Sequence, residues 1–139
     1  YAGWAFSQTF FRNKLYKNLG FKTIEDLLLE WENDHVVNWD ANNLLSKLAT
    51  WQINDISVGP LYCGDFKKAL KAIKARTIIM PCTHDLYFPP EDNKIEVCYI
   101  NKAELCPYSS PLGHCVANPG NDINFEIELD KSINDLLSF

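Results

Sequence analysis

The stretch that decides the fold is residues 75–114, ARTIIMPCTHDLYFPPEDNKIEVCYINKAELCPYSSPLGH. Thr77, Ile78 and Ile79 are β-branched and run without polar alternation to Pro81, which predicts a strand over 76–80 buried on both faces. Pro89-Pro90 opens a helix, because the fixed φ of proline suits a first turn and Glu91 and Asp92 complement the helix dipole. A second short strand follows over 103–107, and then a loop carrying His114. Strand, helix, strand at this spacing predicts two parallel strands joined by a right-handed crossover. The loop with His84 and Asp85 and the loop with His114 then leave the carboxyl ends of adjacent strands, where open α/β sheets keep their chemistry. An acid on one such loop and a histidine on the next form the back half of an acid–base–nucleophile triad. The carboxylate fixes the imidazole tautomer, and the other ring nitrogen takes the proton of a nucleophile. A surface acid and a capping histidine are the plainer reading of the same two residues.

The flanks add helices. Trp4, Phe6, Phe10, Phe11 and Leu15 make roughly one apolar stripe at helical spacing, ending at Gly20. Thr23-Ile24-Glu25-Asp26 resembles a capping box for a helix through about residue 31. Asp40 caps a helix over 41–51 with Leu44, Leu45, Leu48 and Trp51 on one face. Residues 53–64 read as a loop around Gly59-Pro60, and Asp65 caps a short helix over 66–73. A Pro119-Gly120 turn precedes a final helix over 123–137. The chain thus divides into a helical front, 1–62, and an α/β back, 63–139. Two parallel strands need neighbours to satisfy their backbone groups and cover their faces. The sheet is therefore expected to be completed by upstream sequence, a partner chain or self-association.

Composition narrows the class. At 139 residues the chain is one domain or part of one, and 47% hydrophobic content fits a packed core. A net charge of −5 without a basic run argues against a nucleic-acid partner. No apolar stretch approaches the roughly 20 residues of a membrane helix, and no signal-peptide pattern appears. Five cysteines, an odd count without framework spacing, predict free thiols in a reducing, cytoplasmic setting. The chain begins at Tyr1 and its only methionine is Met80, so a processed or truncated piece of a longer protein is expected.

Other candidate groups read as structural. Cys82-Thr83-His84 has a ligand-like look, but zinc sites use four ligands at recognisable spacings and no second pair occurs, so no metal is expected. Cys115 beside His114 reads as a packed thiol rather than a nucleophile, since neighbours on an extended loop point apart. His35 reads as a surface residue. The tryptophans and phenylalanines read as core or cap-to-core packing, with the alternative that a cap presents some of them to a substrate.

Two motifs carry a resemblance. Thr83-His84-Asp85-Leu86-Tyr87-Phe88-Pro89-Pro90 and Ser110-Pro111-Leu112-Gly113-His114 are similar to the late motifs of the homoserine O-acetyltransferase-like family of the α/β-hydrolase fold. Gly3-Trp4-Ala5-Phe6-Ser7-Gln8 and Asp40-Ala41-Asn42-Asn43-Leu44-Leu45 resemble that family's helical cap. The resemblance covers nearly the whole chain but only the family's C-terminal portion. It implies the C-terminal part of an α/β-hydrolase fold with an incomplete sheet, preceded by a cap segment, with Asp85 and His114 as triad positions. It further implies a serine-dependent acyltransferase that uses acetyl-CoA or another acyl-CoA as co-substrate and a small-molecule alcohol or ester as substrate, with no cofactor held.

Departures from the family matter as much. No Gly-x-Ser-x-Gly elbow occurs, so the nucleophile is expected outside this sequence. Homoserine acyltransferases tend to place Asp after the histidine, where it meets the substrate's amino group; Cys115 stands there. An esterase is therefore an alternative to the acyltransferase. A catalytically inactive fragment or binding module of the same fold is another, and a free-standing helical interaction protein a third.

Overall fold

A computed structural model describes residues 1–138. Its sheet consists of β1 (Thr77–Ile79) and β2 (Ala103–Leu105), parallel, with Thr77 opposite Ala103 and Ile79 opposite Leu105. The crossover is α6 (Pro90–Val97), capped by Pro89 with Glu91 and Asp92 in its first turn. The ladder outlasts the strands. Cys106 N–H donates to Ile79 O at 2.8 Å, Tyr108 N–H to Pro81 O at 2.9 Å, and Thr83 N–H to Tyr108 O at 2.8 Å. These bonds keep the two chains side by side right up to the loops that carry Asp85 and His114. The β1 residues are only partly buried, not buried on both faces as their composition suggests. Among the described residues the sheet has just these two strands, so no third strand flanks them, and α6 and α7 (Ile123–Leu137) pack against them.

The helices follow their caps. Thr23 Oγ1 accepts from Asp26 N–H while the Asp26 carboxylate accepts from Thr23 N–H, starting α3 (Ile24–Asn38). This helix runs well past Trp31, with His35 Nδ1 2.8 Å from Trp31 O and the Asn38 amide donating to Asp34 Oδ1 at 2.7 Å along its last turns. Asp40 accepts from Asn42 and Asn43 N–H at the start of α4 (Ala41–Ile53). Asp65 starts α5 (Phe66–Lys71), and Asp122 starts α7 (Ile123–Leu137). Side-chain caps of this kind contribute about 1 kcal/mol each.

The N-terminal stripe is not one helix. It breaks into α1 (Ala2–Ala5), α2 (Gln8–Arg12) and a 3-10 helix (Leu15–Leu19). Ser7 causes the first break: its backbone is extended, and its hydroxyl accepts from Phe10 N–H at 3.0 Å to start α2. Lys14, at φ +55°, causes the second. The corner lets Phe6 stack on Phe10 with ring centres 4.1 Å apart, and Phe10 is fully buried. One core draws on both halves of the chain, joining Phe6, Phe10 and Leu27 to Leu112, Val116 and Phe125. By contrast α4 buries none of its residues, and Leu45, Leu48 and Trp51 stay exposed. All five cysteines are free thiols, and no helix among the described residues is long and apolar enough to cross a membrane.

Candidate active site

Asp85 and His114 meet. The Asp85 backbone turns immediately after the bridge between Cys82 and Tyr108, donating its N–H to Cys82 O at 3.1 Å. Its Oδ1 accepts from Tyr87 N–H at 2.7 Å and Phe88 N–H at 2.9 Å, which fixes the carboxylate plane. Its Oδ2 then lies 3.0 Å from His114 Nδ1. Asp85 is 9% exposed, whereas the His114 side chain is 34% exposed. An acceptor on Nδ1 selects the tautomer protonated there, so Nε2 carries the free lone pair. Nε2 has no hydrogen-bond partner among the described residues.

The segment holding His114 is gripped from several sides. It is a 3-10 helix (Gly113–Ala117), not an extended loop. Its tight turn leaves Cys115 buried while His114 stays accessible, so the two side chains diverge for a different reason from strand alternation. Gly113 has φ +63°, and a Cβ there would stand 3.0 Å from both Ala5 O and Ser7 N. Only glycine fits so close to the α1–α2 corner. Ser7, 2% exposed, donates its hydroxyl to Pro111 O. Ser110 donates to Asp122 Oδ2 at 3.0 Å and accepts from Leu112 N–H at 3.3 Å. Tyr108 donates its hydroxyl to Asp122 Oδ1 at 3.2 Å, and Asn121 Nδ2 donates to Cys115 O at 2.9 Å. Asp122 thereby ties the cap of α7 to the segment before the histidine.

Aromatic rings wall the imidazole. The Tyr87 ring centre lies 4.9 Å from His114 and that of Phe88 5.1 Å. Trp51, from α4, packs 5.5 Å from Tyr87 and 5.6 Å from Phe88. Sequence reading passed over these contacts. Tyr87 and Phe88 could have been found from their place directly after Asp85, and Ser7 from its position before Gln8-Thr9-Phe10 as a helix N-cap. Trp51 carries no such signal, because only the tertiary fold brings α4 across the site.

The other candidates separate from this pair. Cys82 Sγ donates to Ser110 O at 3.3 Å, and His84 Nδ1 pairs with Thr83 Oγ1 at 3.1 Å. No group of three or more potential metal ligands gathers among the described residues. The Cys115 thiol is pushed up to about 11, first by burial and then by the charge of Asp85. At neutral pH it is a neutral thiol, without the negative charge an amino group would seek. His35 is not a plain surface residue. It stacks between Trp31 and Trp39, at 6.0 and 5.8 Å, with Nδ1 2.8 Å from Trp31 O. The helix extends past Trp31, which places Trp31, His35 and Trp39 at i, i+4 and i+8 on one face.

Fold and site together define a class: a partial α/β fold whose strand-end loops carry a coupled carboxylate and imidazole. No family model matches the chain. It is 36% identical over 138 residues to the ethyl acetate hydrolase of Pseudomonas veronii, a match covering 98% of this chain and 38% of that relative. It superposes on the acetyl esterase MekB with a TM-score of 0.89 at 34% identity, covering 98% of this chain and 39% of that one. An acetylester hydrolase from Corynebacterium glutamicum gives 0.87 at 29% identity, covering 97% of this chain and 38% of the other. The chain therefore spans 38% of the length of the curated relative from Pseudomonas veronii. These three proteins are ester hydrolases by name. The similarity is to proteins of that class and lends nothing to the homoserine O-acetyltransferase family or to acyl transfer.

Proposed function

We propose that this chain contributes the acid–base half of a serine-type carboxylic ester hydrolase acting on short-chain esters. The 3.0 Å contact between His114 Nδ1 and Asp85 Oδ2, with Nε2 open, is the observation that carries the reading. In the reaction, a serine hydroxyl supplied by polypeptide outside these residues adds to the ester carbonyl as Nε2 takes its proton. The tetrahedral adduct collapses, and the departing alkoxide leaves as an alcohol with the proton from Nε2. Water then adds to the acyl-enzyme, giving its proton to Nε2, and collapse releases the acid and returns that proton to the serine. Asp85 stays ionised throughout and stabilises the imidazolium that forms twice per turnover.

Water rather than a second alcohol is the acceptor in this reading. The ester-hydrolase relatives support it, and so does the neutral, buried Cys115 at the position where homoserine acyltransferases tend to carry an Asp. The test compares two proteins: this chain alone, and a longer polypeptide in which a nucleophile elbow precedes Tyr1. The longer one is expected to hydrolyse p-nitrophenyl acetate and to be labelled by a fluorophosphonate. This chain alone is expected to do neither. Ester turnover by the isolated chain would reject an external nucleophile, and an inert longer protein would favour a binding module of the same fold.

A further inference from the structure

The geometry points to Trp51 as the residue that sets how long an ester the site accepts, with small, uncharged esters as the substrate class. This rests on the reading of Asp85 and His114 as an ester-hydrolysing pair. The imidazole is flanked by Tyr87 at 4.9 Å and Phe88 at 5.1 Å, with ring planes tilted 55° and 59° to it. Trp51 reaches both flanking rings, at 5.5 and 5.6 Å. The three rings therefore form one continuous aromatic surface, two of them against the imidazole.

Two further observations give Trp51 its role. First, α4 buries none of its residues, so the helix has no core anchor, and its aromatic contact with the strand-end loops runs through Trp51. Second, Trp51 and Phe88 each remain 48% exposed, so neither ring is spent in the core. Aromatic carbon next to a catalytic base binds alkyl groups through dispersion and water exclusion. Apart from Asp85, whose two oxygens are already engaged, no charged side chain among the described residues bonds to His114, Tyr87 or Phe88. A substrate bearing an ammonium or phosphate near its ester would leave water for this surface and gain no counter-charge there. In this proposal the indole, held against both rings, offers its surface to a short alkyl group and stands in the way of a longer chain.

The experiment uses the longer polypeptide that contains this chain, with p-nitrophenyl acetate and p-nitrophenyl hexanoate as probes. For Trp51→Ala, the ratio of kcat/KM for acetate over hexanoate is expected to fall about tenfold or more, the low end of what even one methylene is worth in an apolar pocket. Trp51→Phe keeps a ring against Tyr87 and Phe88 and is expected to retain most of the wild-type ratio. An equal loss on both esters, or a ratio unchanged within about twofold, would overturn the assignment. If the wild-type protein hydrolyses neither ester, the esterase reading itself fails. Amide hydrogen exchange then decides the anchoring of α4 separately: faster exchange across 41–53 in Trp51→Ala supports it, and unchanged exchange overturns it.

Discussion

His114 Nδ1 stands 3.0 Å from Asp85 Oδ2, although 29 residues of chain separate them. That contact exists because β1 and β2 are parallel and in register, so the loops leaving their carboxyl ends emerge side by side. Asp85 cannot swing away, since its other oxygen accepts two backbone N–H groups. In the longer polypeptide, Asp85→Asn is expected to preserve the fold, because the amide is isosteric. The amide can place its NH2 toward Nδ1 and favour the wrong tautomer, so kcat on an acetate ester is expected to fall about 10³- to 10⁴-fold. Far-UV circular dichroism and steady-state kinetics on the same sample check both halves. A loss under tenfold would remove Asp85 from the mechanism.

Gly113 offers a sharper structural test. Gly113→Ala places a Cβ 3.0 Å from backbone atoms of Ala5 and Ser7 at φ +63°. The left-handed conformation alone costs about 1–2 kcal/mol for a residue with a Cβ, and the clash adds to it. Urea unfolding is expected to show a destabilisation of at least about 2 kcal/mol. Gly3→Ala, where the new Cβ meets nothing, is expected to be neutral or mildly stabilising within about 1 kcal/mol.

Asp122 joins three structures at once. Its carboxylate accepts from the Tyr108 and Ser110 hydroxyls and from the first N–H groups of α7. Asp122→Ala leaves the buried Ser110 hydroxyl without its acceptor and uncaps the helix. Loss of about 2–3 kcal/mol is expected, more than an ordinary cap removal. Asp40→Ala serves as the comparison: it caps an exposed helix and is expected to cost about 1 kcal/mol.

Cys115 gives a pH dependence with a definite sign. Its folded thiol titrates near 11 against an ordinary value of 9.0, so the folded state holds its proton where the unfolded state has lost it. That contribution is complete below about pH 9 and disappears as pH rises toward 11. Cys115→Ala is expected to flatten the loss of stability over that interval, measured by denaturant unfolding from pH 8 to pH 11. At pH 8, iodoacetamide is expected to modify the exposed Cys63 and Cys98 and to leave Cys115 untouched until the chain unfolds.

Much of this arrangement can be read from residue types alone. Thr23, Asp40 and Asp65 announce helix starts because a short polar side chain bonding its own backbone needs no tertiary partner. Thr77 to Ile79 and the Pro89-Pro90 start give the crossover, and the crossover gives the Asp85–His114 meeting. What the residues did not reveal depends on contacts between distant segments. Ser7 ends a helical stripe by capping α2 and holding Pro111, 104 positions away. Gly113 is glycine because of Ala5 and Ser7, and no local rule shows that. The partial exposure of β1 likewise reflects neighbours, which composition cannot count.

The most direct test is His114→Ala in the longer polypeptide, assayed by kcat/KM on p-nitrophenyl acetate. The account predicts a loss of about 10³-fold or more with the Tm within a few degrees of wild type, since His114 sits at the edge of the core. Turnover unchanged by that substitution would contradict the assignment of His114 as the base.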